Sequence, residues 1–188
     1  DEKNLFLIAG DITHPEVKGI VSYAKGEVIA FNSADELEKI VKEKHEIREN
    51  QAILAAQTTF SLNEWKKISE ISRKYFIFLT IYDTICDATE KRQREASRLA
   101  IENDAVIVIG GKKSSNTAKL FETASQLCKN TFLVENVGEI PINIIKKAKK
   151  IGVTAGASTP KGIIKEVVEE MSELNGENFN DISFEEGL

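Results

Sequence analysis

The chain has 188 residues, of which 41% are hydrophobic, and it carries 25 Lys and Arg against 30 Asp and Glu, for a formal net charge of −5. The acidic balance argues against a general nucleic-acid binder, and the apolar content is enough for a buried core. No apolar run approaches the roughly 18 residues of a membrane span, and no signal-peptide pattern occurs. We therefore expect a cytoplasmic protein that contacts neither membranes nor nucleic acid.

Apolar runs of strand length alternate with helical patterns along the chain. These runs lack polar alternation, which is typical of strands covered by helices on both faces. Because strand, helix and strand follow one another, the pattern predicts right-handed crossovers and parallel sheets. The predicted strands span residues 5–10, 27–32, 52–58, 75–80, 105–110, 131–136 and 151–156.

Apolar residues at helical spacing mark the segments between the strands. The clearest faces are Leu37, Ile40 and Val41; Trp65, Ile68, Ser72 and Tyr75; and Ile163, Ile164, Val167, Val168 and Met171. The number of strands is high for one sheet, so we predict an α/β fold of two similar small domains, each a mainly parallel sheet flanked by helices. Their predicted bounds are 1–83 and 84–175, and the acidic segment 176–188 is predicted to be a linker or tail.

Polar side chains gather after several strands, where parallel sheets bind ligands beside helix N-termini. Helix capping explains any single one, since an N-cap is worth about 1 kcal/mol. Capping needs only one such group, however, and adjacent donors suit a phosphate or diphosphate. Neither a Walker A loop nor G-x-G-x-x-G occurs, so a nucleotide is not specifically indicated. The candidates are Gln57, Thr58 and Thr59; Ser114, Ser115, Asn116 and Thr117; and Ser158 and Thr159.

His14 and Glu16 follow the first predicted strand, and Pro15 between them fits the first turn of a helix. An imidazole and a carboxylate at this position could move protons to a substrate oxygen, provided that both face one cleft. His45, in contrast, lies among charged residues and is predicted to be on a solvated helix.

The two cysteines, Cys86 and Cys128, do not make a disulfide framework, which fits a reducing compartment. Cys128 is predicted to be a buried small hydrophobe near a helix end. Cys86 stands between an apolar run and a helix, where the helix dipole favours a thiolate that could be a nucleophile or a metal ligand. Because no Cys-x-x-Cys pair accompanies it, this chain alone cannot assemble a conventional zinc or iron–sulfur site.

Five motifs share the order and spacing of a known family. They are GDITHPEVKG, AAQTTFS, TICDATEKRQ, GGKKSSNTAKL and GVTAGASTPKGIIKEV. Together they cover about residues 5–174, and they resemble the LytB/IspH family of 4-hydroxy-3-methylbut-2-enyl diphosphate reductases. The resemblance implies three similar α/β domains around a 4Fe-4S cluster, with this chain supplying the second and third. It also implies an allylic diphosphate substrate, isopentenyl and dimethylallyl diphosphate as products, and ferredoxin or flavodoxin as the electron donor.

The resemblance also implies roles for individual residues. Cys86 in TICDAT matches a cluster ligand, and Glu16 matches a glutamate that relays protons. Thr58 matches a threonine near the substrate hydroxyl, with Thr59 beside it. The residues that match the diphosphate-binding set are His14, Ser114, Ser115, Asn116 and Ser158.

The chain departs from the family pattern in lacking the first domain, with two cluster cysteines and two further histidines. We therefore expect the isolated chain to hold no stable cluster and to have no reductase activity. In some family members RNA-binding S1 repeats follow an acidic linker, which the segment 176–188 resembles. Two other functions stay open: a non-catalytic α/β module that binds a phosphorylated small molecule, and a thiol enzyme with Cys86 as its nucleophile.

Overall fold

The protein is described by a computed structural model that covers residues 4–175, and the predicted tail at 176–188 lies outside the described residues. The chain divides into two compact units, the first ending at Thr89 and the second beginning at Glu90. The boundary falls inside one long helix, α4 (Asp87–Glu102). Whether these units are the second and third domains of a reductase stays a prediction.

The first unit contains a four-stranded parallel sheet with the order β2-β1-β3-β4. Its strands are β1 (Asn4–Ala9), β2 (Glu27–Phe31), β3 (Gln51–Ala56) and β4 (Phe78–Ile81). Its helices are α1 (Pro15–Ser22), α2 (Ala34–Glu43), a 3-10 helix (His45–Glu49) and α3 (Leu62–Tyr75). Each strand is joined to the next through a helix, as the alternating sequence pattern predicts.

Two helices of this unit, α2 and α3, bury one face of the sheet. Leu37 and Val41 of α2 and Ile68 of α3 are fully buried against Leu7 and Leu54 of the central strands. These residues include the apolar faces read from the sequence, so both predicted helix faces are confirmed. Burial of this apolar surface, at about 25 cal/mol per Å², supplies the main driving force for the unit.

The opposite face of the same sheet is covered only in part. Val17 of α1 packs on Ile8 and Ala55, whereas Ile53 of β3 and Phe78 of β4 remain 44% and 60% exposed. The expectation that every strand is covered on both faces is therefore wrong for β4 among the described residues. Its alternating burial is that of an edge strand with an open face.

The second unit contains a three-stranded parallel sheet with the order β6-β5-β7. Its strands are β5 (Ala105–Ile109), β6 (Thr131–Val134) and β7 (Ile151–Ala155). The helices after α4 are α5 (Ser115–Ser125), a 3-10 helix (Val137–Glu139), α6 (Ile142–Ile145) and α7 (Lys161–Asn175). Every residue of β5 is buried, because the strand is central and covered on both faces.

The predicted fold class is confirmed, since both sheets are parallel and both are flanked by helices. The predicted strand bounds differ from the observed ones most at residues 75–77, which do not belong to a strand because α3 continues to Tyr75. Tyr75 is fixed there by long-range contacts, as its hydroxyl donates to Glu38 at 3.1 Å and its ring lies under the guanidinium of Arg48. Tertiary contacts thus override the strand propensity of an aromatic run.

Among the helices of residues 4–175, none combines the length and the apolar composition that crossing a membrane requires.

Candidate functional site

In the first unit, the segments after β1 and β3 meet through Gln57, whose side chain is 4% exposed. Its backbone N–H donates to the Ala9 carbonyl at 2.8 Å, and its Oε1 accepts from the Asp11 N–H at 3.4 Å. A Cβ on Gly10 would lie 2.9 Å from the Cβ of Gln57, so the two segments approach too closely for a side chain at Gly10. Gln57 therefore fixes the spacing of the two strand exits.

The loop after β1 is stabilised by Asp11. Both the hydroxyl and the backbone N–H of Thr13 donate to Asp11 Oδ1, at 2.7 and 2.8 Å. These bonds favour the carboxylate and hold the pKa of Asp11 below its ordinary value of 3.8. The loop then delivers His14 to the start of α1.

His14 is the N-cap of α1, and Pro15 occupies the first helical position as the sequence predicts. The Glu16 N–H donates to His14 Nδ1 at 3.3 Å, so Nδ1 is the acceptor of this bond. The neutral imidazole accordingly has its proton on Nε2, which is a donor for an acceptor outside the helix. His14 is half-buried rather than deeply buried.

Glu16, Thr58 and Cys86 are brought together through the backbone of Thr58. The Thr58 N–H donates to Glu16 Oε1 at 2.8 Å, and the Thr58 carbonyl accepts from the Cys86 N–H at 3.0 Å. Residues from the exits of β1, β3 and β4 therefore meet at one residue. The local chemistry combines a carboxylate, a hydroxyl and a thiol.

Cys86 is exposed and directly precedes the first residue of α4. Its position at a strand–helix junction is as predicted, and so is the burial of Cys128 at 7% exposure. The described residues contain no group of three or more His, Cys, Asp and Glu side chains arranged to hold a metal ion. The metal-ligand role of Cys86 stays a prediction.

Thr59 lies beside Thr58 and is half-buried, whereas the Thr58 side chain is exposed. The Gln57 Nε2 donates to Thr59 Oγ1 at 3.2 Å. The hydroxyl of Thr59 is thus oriented by the same glutamine that spaces the strand exits.

In the second unit, the exits of β5 and β7 approach through two glycines. Gly110 has φ +147°, and a Cβ there would lie 2.7 Å from Thr159 Oγ1 and 2.9 Å from Thr117 Oγ1. A Cβ on Gly156 would lie 2.1 Å from Thr117 Oγ1. The Thr159 hydroxyl also donates to the Ile109 carbonyl at 3.1 Å. Only glycine lets these hydroxyls come so near the backbone.

The start of α5 carries two buried polar atoms without a partner among the described residues: Asn116 Nδ2 and Thr117 Oγ1. Ser114 is the N-cap, with its hydroxyl accepting from the Thr117 N–H at 3.3 Å. A buried unsatisfied polar group costs about 1–3 kcal/mol, and Ser72 Oγ in the first unit is a further atom of this kind. Of the other predicted residues in the second unit, Ser115 is half-buried and Ser158 is exposed.

Lys112 anchors the loop between β5 and α5 to the residues after β6. Its backbone N–H donates to Glu135 Oε1 at 2.8 Å, and its Nζ donates to Glu139 Oε1 at 2.7 Å. The ion pair raises the pKa of Lys112 above its ordinary value of 10.5 and lowers the pKa of Glu139 below 4.5. The Glu135 N–H, which donates to Glu139 Oε2, also lowers the pKa of Glu139.

Three residues have a structural part in these sites that the sequence did not predict, although two of them, Gln57 and Thr117, were among the polar candidates. Gln57 and Thr117 occur in the polar runs after their strands, but nothing in the sequence distinguishes the bridging glutamine or the buried threonine from their neighbours. Thr84 bonds both backbone groups of Ala56, which lies 28 residues earlier, and no local pattern announces such a contact.

A sequence model of the family described as LytB protein matches residues 1–172. The chain is 41% identical over 180 residues to the 4-hydroxy-3-methylbut-2-enyl diphosphate reductase of Clostridium acetobutylicum, covering 94% of this chain and 27% of that relative. It is 38% identical over 175 residues to the protein of the same name from Caldanaerobacter subterraneus subsp. tengcongensis, covering 93% of this chain and 59% of that relative. The match to the Campylobacter hominis protein of that name is 40% over 168 residues, covering 89% and 59%.

Solved structures give the same result for the fold. A structure of (E)-4-hydroxy-3-methyl-but-2-enyl diphosphate reductase, described as the terminal enzyme of the non-mevalonate pathway, superposes with a TM-score of 0.51 and 30% identity, over 92% of this chain and 60% of that one. The E-1-hydroxy-2-methyl-but-2-enyl-4-diphosphate reductase of Plasmodium falciparum superposes with a TM-score of 0.81 and 24% identity, over 93% and 54%. The second likeness bears on the fold alone.

Proposed function

Because the chain belongs to the LytB protein family, we propose that it is part of an iron–sulfur reductase of isoprenoid synthesis by the non-mevalonate pathway. The complete protein removes the hydroxyl of 4-hydroxy-3-methylbut-2-enyl diphosphate and forms isopentenyl and dimethylallyl diphosphate. The chain spans 59% of the length of two of the relatives above and 27% of the third. The activity is accordingly proposed for the complete protein, of which these residues form a part.

The observation that carries the proposal is the convergence of Glu16, Thr58 and Cys86 at the strand exits of the first unit. The reaction consumes two electrons and two protons and releases water. A carboxylate, a hydroxyl and a thiol are side chains that could serve such a dehydroxylation as proton donor, substrate contact and cluster ligand. Hydrogen bonds to both backbone groups of Thr58 hold the three in one place.

Glu16 would move the proton to the departing hydroxyl. Its Oε1 accepts from the Thr58 N–H, which leaves Oε2 as the oxygen that exchanges a proton. The exposed Thr58 side chain would hydrogen-bond the substrate hydroxyl, with Thr59 beside it. A positioned proton donor of this kind contributes about 10²–10⁴-fold to rate.

Cys86 would be one of three thiolate ligands of a 4Fe-4S cluster, which supplies the electrons when it is bound. The exposed thiol, held at the start of α4 by its own backbone N–H, suits a ligand role. Cys128 is buried against the backbone of Asn103 and Asp104 and does not suit one. A chain of these 188 residues alone is accordingly expected to hold no cluster and to be inactive.

Each unit separately contains residues proposed to contact a diphosphate: His14 in the first unit, and residues at the strand exits of the second. His14 offers its Nε2–H, and the start of α5 offers backbone N–H groups together with the unpartnered amide of Asn116. Helix N-termini with clustered donors favour phosphate groups. The remaining predicted donors are Ser114, Ser115 and Ser158.

The partners of the complete protein would be a small allylic diphosphate, ferredoxin or flavodoxin as electron donor, and a further α/β domain of the same reductase. A cytoplasmic location, where these donors and reduced thiols occur, is part of the proposal.

The test is anaerobic reconstitution of a complete reductase that contains this chain, with bound iron and substrate reduction as readouts. Cys86→Ser should remove or labilise the cluster and abolish turnover, whereas the matched control Cys128→Ser should keep both. Glu16→Gln should keep the cluster and lower kcat more than it changes KM. A Cys86→Ser protein that retains cluster and turnover would contradict the proposal.

A non-catalytic module for a phosphorylated small molecule is the second candidate. The unpartnered polar atoms Asn116 Nδ2 and Thr117 Oγ1 favour this module, since a bound ligand could satisfy them without undergoing a reaction. Calorimetry with inorganic pyrophosphate, together with an assay of substrate reduction, distinguishes the binding module from the reductase. Binding without any substrate reduction by the complete reconstituted protein would favour the module.

A further inference from the structure

The residues after β4 continue to pair with the residues after β3, although neither segment is a strand. The Tyr82 N–H donates to the Leu54 carbonyl at 2.9 Å, and the Cys86 N–H donates to the Thr58 carbonyl at 3.0 Å. These bonds continue the parallel register of the two strands, in which Leu54 pairs with Ile81. Both partners advance by four residues between the two bonds, so a bond to Ala56 is expected midway between them.

That middle bond is made by a side chain. The hydroxyl of Thr84 donates to the Ala56 carbonyl at 2.5 Å and accepts from the Ala56 N–H at 2.9 Å. In extended backbone the N–H and C=O of one residue point to the same neighbour, so a single hydroxyl can serve both. Thr84 thus replaces a backbone peptide unit in the ladder.

The residues after Thr84 determine how its hydrogen bonds affect the position of Cys86. Ile85 is 7% exposed and packs in the core, which fixes the segment from the opposite side. Cys86 then reaches the Thr58 carbonyl, whose own N–H is held by Glu16. The hydroxyl of Thr84 therefore lies in the chain of contacts that sets the distance between the thiol and the carboxylate.

We propose that Thr84 is a positioning residue: its hydroxyl carries the β3–β4 ladder past the end of β4 and so fixes the backbone of Cys86 against Thr58. The placement stands on the hydrogen bonds of the first unit alone, and its consequence for a bound cluster rests on the proposed function. Thr84 touches neither substrate nor cluster in this account.

The experiment is amide hydrogen exchange, followed by NMR, on the 188-residue chain with Thr84→Val and Thr84→Ser. Valine keeps the shape of threonine and removes the hydroxyl, whereas serine keeps the hydroxyl. We expect valine to lower the protection of the Ala56 and Cys86 amides about fivefold, since a hydrogen bond contributes about 1 kcal/mol net. Serine should stay within about twofold of the parent protein.

Thr80→Val, on the exposed side of β4, is the matched control and should leave both amides unchanged. Unchanged protection of the Cys86 amide in Thr84→Val would overturn the proposal, and so would equal losses in the serine and valine variants. If the valine variant does not fold, Thr84→Ala takes its place in the comparison with serine.

A second readout addresses the consequence for a metal centre. In the complete reconstituted protein, Thr84→Val should speed the loss of iron to a chelator, and serine should restore the parent rate. If the parent binds no cluster, the proposed function fails while the exchange result still decides the placement.

Discussion

In the first unit, hydrogen bonds join the segments after β1, β3 and β4 to one another, whereas in the second unit the exits of β5 and β7 approach through two glycines as well as through the hydrogen bond of Thr159. Glu16, Gln57, Thr84 and Cys86 each bond a backbone group of a different segment in the first unit. In the second unit, Gly110 and Gly156 admit the Thr117 and Thr159 hydroxyls to close range, and Thr117 Oγ1 and Asn116 Nδ2 are buried without a partner among residues 4–175.

The difference indicates two kinds of site. Side chains that are already bonded to the frame cannot shift to follow a ligand, so the first unit presents a fixed arrangement suited to chemistry. Buried donors and acceptors without partners cost free energy until a ligand satisfies them, so the second unit is suited to binding a ligand. The proposed function would use the first property for the reacting hydroxyl and the second for the diphosphate.

The largest expected effect comes from filling the glycine contact of the second unit. Gly110→Ala adds a Cβ at positive φ and against two hydroxyl oxygens, so it should lower the free energy of unfolding by roughly 2–3 kcal/mol. Gly162→Ala is the matched control, since its Cβ meets nothing within 4 Å and alanine favours the helix. Urea unfolding followed by circular dichroism measures both. Equal stability of the two variants would show that the close approach is not constrained.

Removing the bridge of the first unit should have the next largest effect. Gln57→Leu leaves the Asp11 N–H and the Thr59 hydroxyl without their partner, and we expect a loss of roughly 1–3 kcal/mol in unfolding free energy. Gln126→Leu, at an exposed helix end, should change it by less than about 0.5 kcal/mol. A Gln57→Leu protein as stable as the control would mean that the strand exits are spaced by packing alone.

The third prediction separates stability from binding at a single residue. Thr117→Val removes a buried hydroxyl that has no partner, so unfolding free energy should rise by about 1 kcal/mol while pyrophosphate binding weakens. Differential scanning calorimetry and isothermal titration measure the two quantities. A variant that is less stable than the parent would show that the hydroxyl is already satisfied without ligand.

The smallest effect concerns the ion pair that anchors the loop after β5. Lys112 lowers the pKa of Glu139 in the folded state. The ion pair therefore contributes to the free energy of unfolding above pH 4.5, and this contribution is lost as pH falls through the lowered pKa of Glu139. The pKa of Lys112 is raised in the folded state, so the contribution of the ion pair is present below pH 10.5 and is lost as pH rises through that raised pKa. The stability difference between the parent and Glu139→Gln should therefore shrink below pH 4.5. A difference that persists at pH 3 would assign it to hydrogen bonding rather than charge.

Local sequence patterns predicted the elements and the residues at their junctions. His14 with Pro15 identified a helix start, and the position of Cys86 between an apolar run and a charged helix was read correctly. Strand order was not predicted, because nothing in the sequence of β1 indicates that β2 and β3 lie on either side of it. Thr84 was missed for the same reason, and the contacts of the candidates Gln57 and Thr117 were not predicted, since each meets groups that are distant in sequence and carry no signal of their own.

The strand order has a consequence for synthesis on the ribosome. In both sheets an interior strand is made before its two neighbours, since β1 precedes β2 and β3, and β5 precedes β6 and β7. At roughly 5–20 residues per second, β1 waits a few seconds between the emergence of Ala9 and that of Ala56. During that interval an apolar strand has no partner on one edge. Nascent chains of this protein should therefore be clients of ribosome-associated chaperones, and the crossover helices determine how long the exposure lasts.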